Sequence, residues 1–284
     1  MDAPSWSQNQ LKRLGRHISA GAAPQSSGPT YEAVLEWYND LAAEVQGVIS
    51  ETDWTPILGA RTVELTSRAK TLDTLRQKLL RDSATPLASV QDIAGVRFEA
   101  EMSLDEQDAI AHRIAELFSH DPSVCVHDLR SRPHSGYRAV HVWLRLPAGR
   151  VEVQVRTHLQ GAWANAYESL ADAFGREIRY GYIPLDPQEA MIVRSLQDVS
   201  LVRIAEMEGG RNDAARLKAE YANTLQTLDE YDDEDTLPHH LVNAQEADVR
   251  VGELQREAAE DERTIRGALQ DLKRIFDSMN RERR

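Results

Sequence analysis

Two eight-residue runs in the middle of the chain, AVHVWLRL (139–146) and RVEVQVRT (150–157), alternate apolar and polar residues around Pro147-Ala148-Gly149. Alternation with period two puts successive side chains on opposite faces, and a short break containing glycine closes a hairpin. A β-sheet therefore sits at the centre of whatever this chain folds into. Further strands are expected where Val96, Phe98 and Ala100 alternate with polar neighbours, and where Val124, Val126 and Asp128 do so. Between those two, residues 103–120 carry Ile110, Ile114, Leu117 and Phe118 on one helical stripe.

The flanks read as helical. Residues 7–18 suggest a short basic helix, and a small-residue linker follows at 20–30. Thr30 is placed to cap a helix bearing Leu35, Tyr38, Leu41, Val45 and Ile49. Residues 61–81 read as a second helical stretch entered through a strand. Towards the end, Leu217, Tyr221, Leu225 and Leu228 form one stripe and Ile265, Leu269, Leu272 and Phe276 another, separated by the acidic loop 229–240. The expectation is an α/β (α+β) protein: a mixed β-sheet of about five strands flanked by helices, with a C-terminal helical hairpin. The expected divisions are 1–29, a basic helix and linker; 30–185, the sheet domain; and 186–284, a helical extension.

Composition narrows the class. The formal charge is −13, most of it in the second half, so bulk charge gives no general attraction to nucleic acid. One cysteine excludes an intramolecular disulfide framework. With no apolar run of membrane-spanning length, the chain reads as soluble and cytoplasmic, with no membrane partner.

The chemistry gathers on the sheet. If Val151, Val153 and Val155 face the core, Glu152, Gln154 and Arg156 share the other face. A strand face carrying a carboxylate, an amide and a guanidinium is poor packing material. The preceding loop offers Gly136-Tyr137-Arg138 and then His141, with a ring on which a base could stack and cations for phosphate or ribose oxygens. Upstream, Asp92 precedes an apolar strand that holds Arg97. Asp92 and Glu152 together are a donor set for Mg²⁺, which takes oxygen ligands and bridges phosphates. Lys70, Thr74 and Lys78 fall at i, i+4 and i+8, one face of a helix. Taken singly, each segment is equally consistent with turns, solvated faces and ordinary salt bridges.

In order, these segments resemble the RelA/SpoT homologue synthetases. The family's RxKxxxSxxxKL, DIAGxR, GYRSxH and ExQxRT are matched at Arg68 to Leu79, Asp92 to Arg97, Gly136 to His141 and Glu152 to Thr157, with Trp163-Ala164 after. The resemblance spans roughly 30–185 and implies a nucleotidyltransferase-like synthetase fold that transfers pyrophosphate from ATP to the ribose 3′-OH of GDP or GTP, making (p)ppGpp alarmones. It implies that Arg68 and Arg97 sandwich the adenine and that Lys70 and Lys78 lie near the phosphates. Asp92 and Glu152 would hold Mg²⁺, with Glu152 also the base. Tyr137 would stack on the acceptor base, and Arg138, His141, Gln154 and Arg156 would line the acceptor site.

Four positions depart from the pattern. Pro133 stands for a lysine, Gly161 for a polar residue, Tyr167-Glu168 for a Glu-His pair and Ala139 for a serine. The altered acceptor half looks like the toxic branch of small alarmone synthetases, some of which pyrophosphorylate the 3′-CCA end of tRNA while others make adenosine alarmones. Lys12, Arg13 and Arg16 would then be candidate RNA contacts. A catalytically dead nucleotide-binding module is the third reading. The C-terminal helices are open to homo-oligomer formation, to covering the site, or to an antitoxin or other regulator.

Overall fold

The computed structural model describes residues 2–21, 28–82, 84–229 and 237–282; parts of the predicted linker and acidic loop lie outside the described residues. The chain divides into two compact units that interleave in sequence. The first comprises residues 1–101, 106–129 and 139–156, and the second 102–105, 130–138 and 157–284.

The first unit begins with α1 (Gln8–Ala20), α2 (Tyr31–Glu51) and the short α3 (Thr55–Leu58). Thr30 caps α2 as expected, its hydroxyl accepting from the Ala33 amide. Next come β1 (Val63–Ala69), α4 (Leu72–Arg81), β2 (Ala94–Ala100) and α5 (Leu104–Leu117). The unit closes with α6 (Pro122–Cys125), β3 (Val126–Asp128), β4 (Val140–Leu146) and β5 (Gly149–Thr157). The strands form one sheet in the order β1-β2-β5-β4-β3. The pairs β1/β2, β3/β4 and β4/β5 are antiparallel. Gln91, before β2, donates to the Val151 carbonyl, while Glu99 near the end of β2 meets Arg156 near the end of β5. β2 and β5 therefore run the same way, and the sheet is mixed.

Strand alternation sorts the two faces cleanly. Val96, Phe98, Val142, Leu144, Val151, Val153 and Val155 are fully buried, joined by Leu41 and Ile49 of α2 and Ile110 and Ile114 of α5. Burying one such side chain stabilises the fold by roughly 1.5–3 kcal/mol, so register is strongly fixed: a one-residue slip would turn Glu152 inward.

Two local readings are corrected. Val124 belongs to α6 rather than to a strand, because Asp121-Pro122 starts a helical turn: the Asp121 carboxylate accepts from Ser123 N and proline sits at the first turn. Lys70 does not share a helix face with Lys78. It precedes Thr71, the N-cap of α4, and its amide donates to the Ile93 carbonyl at 2.9 Å.

In the second unit, α7 (His158–Phe174), α8 (Pro187–Asp198), α9 (Ala205–Asp229) and α10 (Leu237–Glu282) surround a separate core. A π-helical turn, 199–204, joins α8 to α9. The core holds Trp163, Tyr167 and Leu170 of α7 with Leu269 and Phe276 of α10. No described helix is long and apolar enough to cross a membrane.

Candidate functional site

The polar face of the first unit's sheet opens into a pocket of about 290 Å³ lined by Thr66, Ser67, Lys70, Asp92, Gly95, Arg97 and Gln154. Lys70 and Lys78 both reach Asp92, with Nζ to Oδ2 at 2.8 Å and Nζ to Oδ1 at 2.5 Å. Lys70 arrives from the β1–α4 turn and Lys78 from the last turn of α4. Burial alone would raise the Asp92 pKa; the two ammonium groups outweigh it and hold the carboxyl below its usual value.

Glu152 sits on β5, opposite Trp143 in register and almost wholly buried. Its Oε1 lies 3.1 Å from His141 Nδ1 and accepts from Gln154 Nε2 at 3.4 Å. Burial, the largest single influence, pushes Glu152 up and the Asp92 charge adds to it, but the His141 charge and hydrogen bond together with the Gln154 amide outweigh them, and the net shift is downward. A buried carboxylate kept ionised is suited to accept a proton or to ligate a cation. Arg156 donates to Gln154 Oε1 at 2.5 Å and faces Glu99 at 3.7 Å. The face is therefore a covered network rather than a solvated surface.

Of the predicted residues, the structure gathers Lys70, Lys78, Asp92 and Arg97 about one pocket, and His141, Glu152, Gln154 and Arg156 along one network. Arg68 pairs in backbone register with Gly95; its side chain lies outside the described residues. Tyr137 and Arg138 belong to the second unit. Ser135 and Gly136 both adopt positive φ there, 54° and 87°, which turns the loop. A Cβ at Gly136 would lie 2.7 Å from the Trp163 ring. Tyr137 packs against the Trp163 cluster. Arg138 is buried and donates to Glu208 at 2.7 Å; the same carboxylate accepts from Thr157 Oγ1 at 2.6 Å. Lys12, Arg13 and Arg16 are exposed on α1.

Sequence reasoning missed Glu99, Thr66 and Gly95, although alternation in step with Arg97 carried the signal for them, and it missed Ser67, which alternation assigns to the other face. It also missed Glu208, for which no local signal exists, 70 residues from its partner. The donor set of Asp92, beside two lysines, and Glu152, beside His141, fits Mg²⁺, which is held through one or two carboxylates and completed by waters and phosphates. Among the described residues no cluster of three metal-binding side chains occurs.

A mixed sheet thus carries cations and carboxylates together on its polar face. Residues 67–171 match the family described as "Region found in RelA / SpoT proteins". The chain is 46% identical over 218 residues to the uncharacterized protein Rv1366 of Mycobacterium tuberculosis, covering 77% of each. Similar solved structures include the small alarmone synthetase 1 from Bacillus subtilis, with 22% identity, a TM-score of 0.43 and coverage of 71% of this chain and 98% of that one. A GTP pyrophosphokinase family protein from Streptococcus pneumoniae gives 19%, 0.46, 66% and 97%. The chain belongs to the RelA/SpoT family.

Proposed function

We propose that this protein is an ATP-dependent pyrophosphokinase that transfers the β,γ-pyrophosphate of ATP to a ribose 3′-OH, with GDP or GTP as acceptor. The observation that carries the reading is the convergence of Lys70 and Lys78 on Asp92 in a pocket also lined by Arg97 and Gln154. Two ammonium groups that, among the described residues, share one carboxylate are poised to exchange that partner for phosphate oxygens. Mg²⁺ held by Asp92 and Glu152 would neutralise charge on the transferring group.

Glu152 accepts the proton of the acceptor 3′-OH. The 3′-oxygen then bonds to the β-phosphorus, the bond from that phosphorus to the α,β-bridging oxygen breaks, and AMP leaves. His141 and Gln154 hold the Glu152 carboxylate in place throughout. Positioning and charge neutralisation supply most of the rate enhancement in such transfers.

A second reading, transfer to the 3′-CCA end of tRNA as a translation-blocking toxin, is favoured by one observation. Arg138 is committed to the buried Glu208, and Pro133 replaces the lysine upstream, so the acceptor half offers fewer cations to a free nucleotide's phosphates. ATP labelled at the γ-phosphate, offered with GDP, GTP, ATP and deacylated tRNA separately, separates the two. Label on GDP or GTP supports the first reading, and label on tRNA alone replaces it with the second. Absence of transfer to every acceptor would refute the enzymatic reading.

A further inference from the structure

Away from that pocket, the first unit holds a second cavity of about 270 Å³, with no lining residue in common with the first. Its walls come from the segment before α1, from α2, and from the turn joining β4 to β5. Trp6 and Trp37 meet edge to face there, with ring centroids 5.5 Å apart and planes at 71°. The Trp37 indole N–H donates to the Ala148 carbonyl at 2.9 Å, which fixes that ring against the turn. Both indoles stay partly exposed instead of completing a core.

The cations are equally specific. Arg145 and Arg150 stand directly opposite each other in the β4/β5 register, and both line the cavity. Like charges in facing positions destabilise a strand pair. Elsewhere, Arg61, Arg138, Arg211 and Arg216 each hold a carboxylate. Among the described residues, neither Arg145 nor Arg150 has an acidic partner, in a chain whose acids outnumber its bases 46 to 33. An anion between the two guanidinium groups would relieve that repulsion, and paired guanidinium groups suit phosphate in particular. Gln8, at the start of α1, and Ser89 also line the cavity and add an amide and a hydroxyl able to bond the edge of a ring.

We propose that this cavity is a second, non-catalytic nucleotide site, taking a purine nucleotide with its base against Trp6 and Trp37 and its phosphate between Arg145 and Arg150. The volume is close to that of the catalytic pocket and lies just below the usual range of roughly 300–1,000 Å³ for ligand pockets.

Two of the five tryptophans line the cavity, so quenching of intrinsic fluorescence reports occupancy. The full chain would be titrated with AMP, GMP and inorganic phosphate in turn. Saturable quenching by a purine monophosphate is expected, weakened about tenfold or more in the Arg145→Ala/Arg150→Ala double variant and to a lesser degree in Arg145→Ala alone. It should survive in Lys70→Ala/Lys78→Ala. Quenching lost in the lysine variant but kept in the arginine variant would assign the binding to the catalytic pocket and overturn the proposal. So would absence of saturation at millimolar nucleotide, or phosphate binding as tightly as AMP and GMP. The readout is binding, so a failed transfer assay leaves this inference standing.

Discussion

Burial by itself would raise the Glu152 pKa; the His141 contact and the Gln154 amide turn the net shift downward. Glu152→Gln preserves volume but removes both the charge and the basic site. It should lower kcat by about 10²–10⁴-fold with an unchanged far-UV circular dichroism spectrum, and a variant with normal turnover would show that another group takes the proton. Asp92 supplies a second test. Its pKa is lower in the folded chain than the ordinary value of 3.8, so its contribution to stability is fully present above that value and lost as pH falls through the folded one. Urea denaturation of Asp92→Asn should show its largest stability deficit near neutral pH, closing as pH drops below about 4. A gap constant with pH would mean that the Lys70 and Lys78 pairing contributes nothing. The identities of these carboxylates were legible from the sequence, because alternation along β5 and the DIAGVR segment picked them out. Their ionisation states were not, since those depend on partners brought by β4 and α4.

At the level of elements, the caps and turns carry the strongest constraints. Thr157 ends β5 and caps α7: its side chain accepts from Gln160 N, while the Gln160 side chain returns to Thr157 N. The same hydroxyl donates to the buried Glu208. Thr157→Ala should cost about 1–3 kcal/mol by chemical denaturation, more than an exposed cap alone. Gly136→Ala should be destabilising for two reasons, a positive φ and a clash with Trp163, at about 1–3 kcal/mol. A neutral result would show that the loop relaxes away from the indole. The β1–α4 connection teaches a related lesson. The spacing of Lys70 and Lys78 suggested one helix face, yet Thr71 caps α4 one residue too late for Lys70 to join it. The two lysines still converge, because strand and helix both end beside Asp92.

Across the whole molecule, the two units have separate cores, and α10 belongs to the second one as fully as α7 does. Phe276 and Leu269 pack with Trp163 and Leu170, so Phe276→Ala should cost about 3–5 kcal/mol in thermal or urea unfolding; a negligible loss would mark α10 as peripheral.

From the sequence alone came the central strands, the main flanking helices with the Thr30 cap, the five-stranded mixed sheet and a set of candidate site residues. Those are local properties, written in period-two and period-3.6 patterns and in residues that must be polar at fixed spacing. The tertiary structure decided which carboxylate each cation meets: Asp92 for Lys70 and Lys78, and Glu208 for Arg138. It also decided that the polar face of β5 is buried and that Arg145 and Arg150 face one another beside two indoles. Such pairings join residues that sequence spacing does not relate, and they exist only once burial has fixed strand register and brought distant segments together.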